Sequence, residues 1–538
     1  MKNKQSYQPP AKKKIPDPAS GYPSGNTRRD FLKNGAALIT ASVLHPLSSV
    51  LPAVARAVPA ATGQIIGIQV GPESFVDEGT GKLLDLLNEQ AAVNTISLTT
   101  FTYGQGFAGR QPAGRLYPGH GAMASKDKPF HGGNFATPHE KFYHDTILKN
   151  TRAPDHGALD ILAEVLPAAR ARGMKVFCGV EDRWDRAFDV PGLKECSEVD
   201  LMGRSTFDPS RSITTCVFHP DVRAFWKGLV TDLCSSYPID GILFENERSG
   251  PLMNVLGATP FRKEVGDTSH VTCFCEHHRR AALQRNINFD RAREGYLKLV
   301  GFVQAALKDQ RPADGYYVRF QEILMEYPEI VAYDNLCDSG KLEVVDEIRS
   351  AIKSVRKDLQ LIFHIEQTIS FNPITRASLN YEKLAGKADF LKPATYNNCA
   401  GERYADFIHN IGSTIFRDVP PDELFRFMNH LLNYEGLAPL SELATAGLPA
   451  SYVARETQRA LAGVNGKCGV LMGIDVNVPV GPHSRLASPE DTYAATLAAL
   501  QAGAQGIIFS RKYAEMRLEN LAGAGRAVRF NLSNPRSH

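Results

Sequence analysis

Short apolar runs alternate with longer amphipathic segments along the chain from about Thr62 onward. The runs are rich in β-branched residues and too short for helices, and the segments between them repeat their apolar residues with helical spacing. A strand buried on both faces reads as such a run. Eight strands are therefore predicted, at Gln64–Gly71, Val93–Phe101, Lys175–Val180, Ile239–Phe244, Leu359–Glu366, Ala388–Tyr396, Lys467–Asp475 and Gly506–Ser510.

Helical segments separate these predicted strands. Alternating strands and helices are typical of parallel sheets, and eight such units predict an α/β protein with a (β/α)₈ TIM barrel. A doubly wound open sheet is the alternative, but no G-x-G-x-x-G motif follows the first strand, which argues against a dinucleotide-binding fold. Long stretches without a clear period predict inserted loops after strands 2, 3 and 4.

The first sixty residues have a different character from the rest. Asn26–Lys33 resembles the twin-arginine export motif, an apolar run over Gly35–Leu51 follows it, and Ala55-Arg-Ala57 resembles a signal-peptide cleavage site. These features predict a twin-arginine signal peptide and linker over residues 1–60, a barrel domain over 62–525 and a C-terminal tail over 526–538. The twin-arginine export machinery is then a partner, and the mature chain is expected in the periplasm or outside the cell.

Composition narrows the classes of partner. The 61 basic and 58 acidic residues nearly balance, and no basic block is interleaved with aromatic residues, so nucleic acid is not expected to bind. No stretch of the predicted mature chain approaches the roughly 18 apolar residues of a membrane span. The nine cysteines are scattered and odd in number, which predicts no disulfide framework. The sequence does not indicate an oligomeric state.

Acidic residues follow several of the predicted strands directly. In a TIM barrel the carboxyl ends of the strands meet at one rim, where active sites lie. Cleavage of a glycosidic bond needs one carboxylic acid to protonate the leaving oxygen and a second carboxylate that stays ionised. Structural pairing with Arg183, Arg248 and Arg511 is the alternative for each acid. The acids predicted to share the rim are Glu181, Asp182, Glu245, Glu247, Glu366 and Asp475.

The acids at the ends of the fourth, fifth and seventh strands resemble the catalytic triplet of the alpha-amylase-like glycoside hydrolase barrels. Several segments also resemble a broad bacterial family of exported glycosidases. These segments are Asp240–Arg248, Thr272–His277, Arg291–Tyr296, Pro312–Tyr316, Ser370–Pro373 and Tyr396–Gly401.

This resemblance implies a role for each strand-end acid. Glu245 would be the nucleophile, Glu366 the general acid/base, and Asp475 the carboxylate that stabilises the transition state. The amylase pattern has Asp rather than Glu at the fourth strand, and the extra methylene moves the carboxylate by about a bond length. Two alternatives therefore stay open: Glu247 is the working carboxylate, or Glu245 is a base that activates water.

Other residues near the predicted rim are candidates for binding a sugar. His364 lies two residues before Glu366 and hence on the same strand face, although a core histidine is the alternative. Trp184 would form a stacking platform, and Tyr396 and Asn397 would bind hydroxyl groups. The residues predicted to contact substrate are Glu181, Asp182, Trp184, Arg248, His364, Tyr396, Asn397, Arg511 and His120.

One short segment resembles a metal-binding motif. Cys273, Cys275, His277 and His278 cluster in sequence, but zinc sites usually have two to four residues between paired cysteines, and no matching pair follows. A helix start with buried thiols is therefore predicted, with no metal and no cofactor, and a structural metal knuckle at Cys273, Cys275 and His277 is the alternative. The sequence predicts an exported glycoside hydrolase acting on an oligosaccharide or glycoside. A sugar lyase, a metal-dependent sugar isomerase and a non-catalytic carbohydrate-binding barrel are the alternatives.

Overall fold

Eight parallel strands close into a barrel in the computed structural model, which describes residues 63–110, 129–185, 187–211, 213–258, 265–478 and 485–534. Each strand pairs with the next in sequence, and the first also pairs with the last. This confirms the predicted (β/α)₈ TIM barrel and all eight strands. The strands are β1 Ile65–Val70, β2 Thr95–Thr102, β3 Lys175–Glu181, β4 Gly241–Glu245, β5 Gln360–Ile365, β6 Phe390–Pro393, β7 Gly469–Asp475 and β8 Gly506–Ser510.

Apolar side chains cover both faces of these strands. One cluster fills the inside of the barrel, and it draws on six strands. Neighbouring residues such as Ile66 and Ile242 point the other way, into the larger core between the strands and the helices. Burial on both faces explains why each strand is a continuous apolar run in the sequence. The residues of the inner cluster are Ile65, Phe177, Leu243, Ile362, Leu471 and Ile508.

Helices surround the barrel and form much of its insertions. The α-helices are Pro72–Glu78, Thr80–Ala91, Ile161–Arg170, Leu193–Cys196, Pro220–Ser236, Pro251–Leu256, Glu276–Gln284, Phe289–Leu307, Tyr316–Glu326, Glu329–Val355, Thr368–Phe371, Pro373–Ser378, Tyr381–Leu384, Asn397–Gly412, Pro421–Leu432, Leu443–Ala446, Ala450–Val464, Pro489–Gln501 and Leu518–Ser533. The 3₁₀ helices are Glu140–Phe142, Pro154–His156, Thr268–His270, Leu440–Glu442 and Tyr513–Glu515.

The long insertions predicted after strands 2, 3 and 4 are confirmed. The connection after β2 forms a short strand, Gly133–Asn134, that pairs antiparallel with β2. The connection after β3 is held by isolated bridges such as Ser197 to Thr215. The connection after β4 is the longest, and its helices include Phe289–Leu307 and Glu329–Val355. All three insertions leave the barrel at the carboxyl ends of the strands, and they therefore build the walls above it.

The C-terminal helix Leu518–Ser533 corrects one predicted boundary. A tail beginning at residue 526 was expected, but this helix continues to Ser533 and buries Ala527 and Val528. It packs against Thr80–Ala91 and Pro489–Gln501. A Cβ at Gly525 would lie 1.9 Å from the carbonyl oxygen of Gln90, so glycine permits this close approach. Glycines are poor helix formers, which is why the sequence did not indicate a helix here.

The sequence also predicted an N-terminal signal peptide and the absence of a membrane span. The predicted twin-arginine signal peptide and linker, residues 1–60, lie outside the described residues. Within the described ranges, no helix is both long enough and apolar enough to cross a membrane.

Candidate active site

A cavity of about 370 Å³ opens above the carboxyl ends of the strands. A second cavity of about 270 Å³ shares Glu181, Arg183, Asp185, Glu245 and Glu247 with it, and we call the two together the cleft. Charged side chains dominate the wall, which predicts a polar ligand. The first cavity adds Asp182, Glu198, Arg248, Lys341, Glu366 and Arg403. The second adds Tyr103, Phe107, Phe130, Tyr396, Arg511 and Lys512.

Two buried side chains of the barrel contact the carboxylate of Glu245 at the end of β4. Glu245 is 7% exposed, and its Oε1 accepts a hydrogen bond of 2.6 Å from Gln69 Nε2. The ammonium of Lys392, from β6, lies 3.7 Å from the same oxygen and donates to Gln69 Oε1 at 2.7 Å. A cation and an amide therefore fix this carboxylate against the barrel core.

Lys392 connects Glu245 to a second carboxylate through a histidine. Its ammonium lies 3.2 Å from His364 Nδ1, and His364 Nε2 lies 2.7 Å from Glu247 Oε1. Because an ammonium can only donate, Nδ1 accepts and Nε2–H donates to Glu247. His364 was predicted to bind a sugar hydroxyl, but it is buried and both ring nitrogens have protein partners. It therefore positions Glu247.

Glu247 and Glu366 have pKa values shifted in opposite directions. Enclosure by the walls of the cleft acts to raise the pKa of Glu247, but the hydrogen bond from His364 and the charges of Arg403 and Lys392 lower it well below its usual range. Burial raises the pKa of Glu366; the Glu247 charge adds to this shift, and Lys341 opposes it. Both carboxyl groups line the same cavity, and Glu247 is 59% exposed. The cleft thus holds two carboxyl groups whose pKa values are shifted apart, downward for Glu247 and upward for Glu366.

Glu181 lies directly across from Glu245 in the pairing of β3 with β4. Paired residues of parallel strands point to the same face, and this alignment brings both carboxyl groups to the cleft. Burial raises the pKa of Glu181 to about 7, while Arg183 and Lys512 act to lower it. Thr102 donates a hydrogen bond to the carboxylate.

This pKa predicts that Glu181 affects stability in a pH-dependent way. The folded chain holds the proton more tightly than the unfolded chain, whose glutamates titrate near 4.3. The stabilisation is complete below about pH 4.3 and is lost as the pH rises through about 7. The free energy of unfolding of Glu181→Gln, relative to wild type, should therefore increase by up to about 1.4 kcal/mol per pH unit across this window. Urea titrations at several pH values measure it, and Glu322→Gln is the control. A difference that is independent of pH would contradict the prediction.

Asp182 and Arg248 pair with each other, as the structural alternative for them predicted. Arg248 Nη2 forms an ion pair with Asp182 Oδ2, and Asn246 Nδ2 donates to the same oxygen at 3.1 Å. Arg248 also donates to the carbonyl oxygen of Thr215. Both residues still line the cleft. Their pairing ties the connection after β3 to the end of β4.

Trp184 does not form the stacking platform that was predicted for it. Its side chain is 0% exposed and packs against Phe101, Tyr103 and Phe225. The indole Nε1 donates to Asp182 at 2.9 Å, so Trp184 supports the wall from behind and cannot stack on a sugar. Phe130 is partly exposed and lines the cleft, and it is the better candidate for stacking.

The remaining predicted residues have three different outcomes. Tyr396 and Arg511 line the cleft. Asn397 lines a separate cavity of about 230 Å³, and its Nδ2 donates to the carbonyl oxygen of Leu448 at 3.2 Å, so it is not a cleft residue. His120 falls within residues 111–128, outside the described residues.

Asp475 is at the end of β7, as predicted, but it is turned into the protein. It is 1% exposed, and its oxygens accept the backbone N–H groups of Val478 at 2.9 Å and Cys399 at 3.2 Å. Burial raises its pKa to about 6, against the effect of these hydrogen bonds. In the described part of the chain, Asp475 is not among the residues lining the cleft. These contacts favour a structural role over contact with a substrate.

The sequence interpretation missed several residues that line the cleft or lie buried beneath it. Lys392 is a charged residue inside an apolar strand, and this unusual position could have identified it. Gln69 in β1 is an uncharged polar residue in a similar position inside an apolar strand. Lys341 and Arg403 are on helices Glu329–Val355 and Asn397–Gly412, where charged residues are common, so nothing in the sequence marks them. Their alignment with the cleft depends on tertiary packing.

Comparison with known proteins finds likeness at the level of structure. No model of a known protein family and no curated protein matches the chain. Among solved structures, it is similar to a beta-galactosidase from the psychrophilic Marinomonas ef1 at 13% identity, with a TM-score of 0.48, over 87% of this chain and 60% of the galactosidase. It is also similar to an alpha-L-fucosidase isoenzyme 2 from Paenibacillus thiaminolyticus at 13% identity, with a TM-score of 0.45, over 87% of this chain and 49% of the other.

A third similar structure is the PgaB (BpsB) glycoside hydrolase domain from Bordetella bronchiseptica, at 11% identity and a TM-score of 0.45. The aligned region covers 98% of that domain and 87% of this chain. This chain spans less than two thirds of the length of the galactosidase and fucosidase chains. The assignment of the (β/α)₈ fold therefore depends on the closed eight-stranded sheet itself.

Proposed function

We propose that the protein is a glycoside hydrolase that cleaves an oligosaccharide or a glycoside with Glu247 and Glu366 as its two working carboxyl groups. The observation that carries this proposal is their opposite pKa shifts inside one cavity of about 370 Å³. Two carboxyl groups whose surroundings separate their pKa values can divide the roles of ionised group and acid.

Each group has a defined task in this reaction. Glu366 donates its proton to the oxygen that leaves the anomeric carbon, and Lys341 stabilises the carboxylate that remains. Glu247 stays ionised, with His364 fixing its orientation, and either attacks the anomeric carbon or takes a proton from the attacking water. Water supplies the hydroxyl group of the sugar product, and a proton returns to Glu366, which restores the enzyme.

The rest of the cleft suits a sugar. Arg183, Arg403, Arg511 and Lys512 line it and can donate hydrogen bonds to hydroxyl groups. Phe130 offers an apolar ring beside these charged groups, and an aromatic ring can pack on the C–H face of a pyranose. A ligand with many hydroxyl groups and one apolar face matches this combination.

The proposed location follows from the N-terminal sequence. The motif Asn26–Lys33, the apolar run after it and Ala55-Arg-Ala57 support export by the twin-arginine route. A carbohydrate of the cell envelope is then the accessible substrate. Fractionation of cells producing an Arg28→Lys/Arg29→Lys variant is the measurement, and an unchanged periplasmic share would contradict export by this route.

The hydrolase proposal is tested with a panel of oligosaccharides and aryl glycosides. The wild-type chain is expected to release reducing ends or aglycone from at least one member. The double variant Glu247→Gln/Glu366→Gln should bind that member and release nothing. Each alternative has its own result: a lyase gives an unsaturated sugar, an isomerase changes the sugar without cleavage, and a binding barrel retains the glycan unchanged. Any of these three results would overturn the hydrolase proposal.

A further inference from the structure

Four side chains that commonly bind metals meet where the connections after β3 and β4 pack together. Cys216, Cys273, Cys275 and His278 each offer one donor atom, and all four atoms lie within 4.8 Å of one another. Cys216 Sγ lies 3.4 Å from Cys275 Sγ. His278 Nδ1 lies 3.3 Å from Cys216 Sγ and 3.5 Å from Cys275 Sγ. We propose that this Cys₃His cluster binds one zinc ion through three thiolates and one imidazole.

The separations fit a tetrahedral zinc ion. Zinc–sulfur bonds of about 2.3 Å and zinc–nitrogen bonds of about 2.0–2.1 Å give a tetrahedron with edges of about 3.6–3.8 Å. The observed 3.3–3.5 Å separations among Cys216, Cys275 and His278 are shorter by only a few tenths of an ångström. Small side-chain shifts therefore suffice to admit the ion.

Local structure places the donors on one side. Cys275 is the residue immediately before helix Glu276–Gln284, and His278 is in the first turn of that helix, so both point to one face. Cys273 precedes them, and its Sγ accepts the backbone N–H of Val199 at 3.3 Å. Such a donor stabilises the negative charge of a thiolate, as the groups around metal ligands usually do.

Neighbouring groups hold the donors in place. The ring of Phe218 lies edge-on to the imidazole of His278, with ring centroids 4.9 Å apart. Tyr333 OH donates to the carbonyl oxygen of Cys273 at 2.6 Å. Cys216, Cys273 and His278 are buried, so an ion bound among them would be shielded from water.

The donor chemistry identifies the ion and its role. Three soft thiolates select zinc over magnesium or calcium, which prefer oxygen ligands. Four protein ligands fill a tetrahedral site and leave no position for water, as in structural zinc sites. The zinc therefore joins two insertions and takes no part in the chemistry of the cleft.

The cluster is continuous with the wall of the cleft. Cys273 and His278 line the larger cavity, and Thr215, the neighbour of Cys216, accepts a hydrogen bond of 3.1 Å from Arg248. Arg248 in turn forms the ion pair with Asp182. Zinc binding would fix this side of the cleft.

Metal analysis of the full-length protein, purified without chelators, tests the proposal. About one zinc ion per chain is expected, and Cys216→Ala and His278→Ala should each retain less than about a tenth of it. His277→Ala is the matched control, because His277 is adjacent to His278 and is not part of the cluster that the described residues form. Cys234→Ala removes a buried cysteine elsewhere. Both controls should keep the wild-type zinc content.

Cobalt substitution of the wild type keeps the test decisive if the ligand variants fail to fold. Replacing the bound ion with Co²⁺ should produce thiolate-to-cobalt charge-transfer absorption and the visible bands of a tetrahedral site. A wild type that binds no metal, a His278→Ala variant that keeps its zinc, or a Cys216–Cys275 disulfide found by mass spectrometry would each overturn the proposal. Stoichiometric iron would overturn the assignment of zinc. None of these readouts depends on hydrolase activity.

Discussion

Glu247→Gln is expected to lower kcat for a cleaved glycoside by about 10²–10⁴-fold, because the amide can neither attack nor accept a proton. The carboxylate is 59% exposed in the cleft, and its contacts lower its pKa, so it is ionised at neutral pH. Gln keeps the size of the side chain and can still accept the hydrogen bond from His364. Steady-state kinetics should therefore show a fall in kcat, and calorimetry should show that the substrate still binds.

Two further variants make this result specific. Glu322→Gln, on the exposed side of helix Tyr316–Glu326, should retain wild-type kcat. Glu245→Gln tests the alternative nucleophile: a much larger loss than in Glu247→Gln would assign the attack to Glu245. Retention of more than about half of the wild-type kcat by Glu247→Gln would contradict the role of Glu247 as the ionised group.

The strands could be predicted because their pattern is local. Residues such as Ile65 and Ile66 point to opposite faces of β1, and both faces are covered by apolar side chains. The chain order of strands and helices then leaves few topologies. A barrel also determines that Glu181, Glu245 and Glu366 reach the same rim, which is why these acids could be grouped from the sequence.

The direction in which a side chain points beyond a strand end could not be predicted from the sequence. Trp184 and Asp475 both follow or end a strand, yet one packs into an aromatic cluster and the other accepts backbone N–H groups. Their orientation is determined by loops far away in sequence, so no local period indicates it. Polar residues at strand ends therefore predict which rim of the barrel holds the active site, but they identify only some of the residues that act there.

The Cys₃His cluster could not be predicted in full from the sequence for the same reason. Cys273, Cys275 and His278 are close in sequence, but the fourth donor, Cys216, precedes β4. Only the packing of two insertions brings it near. The spacing of the first three residues matches no common zinc motif, and their chemistry becomes apparent only once Cys216 joins them.

Lys392→Met is expected to lower the free energy of unfolding by about 3–5 kcal/mol, the usual cost of breaking a buried ion pair from one side. Lys392 is 0% exposed, and Met has a similar length but no charge. The variant would leave the Glu245 carboxylate without its nearby cation and would remove one donor from Gln69 Oε1. Urea unfolding at neutral pH measures the loss, and Lys298→Met on the exposed side of helix Phe289–Leu307 is the control.

The double variant Lys392→Met/Glu245→Gln separates the charge from the packing of Lys392. Neutralising Glu245 removes the unpaired buried carboxylate, so the double variant should be more stable than Lys392→Met alone. The coupling energy between the two sites is then the part of the loss due to charge. A purely additive result would mean that Gln69, which still reaches Glu245 at 2.6 Å, is sufficient to hold the carboxylate. In that case the ammonium of Lys392 would act chiefly on His364, and its removal should change kcat through the orientation of Glu247.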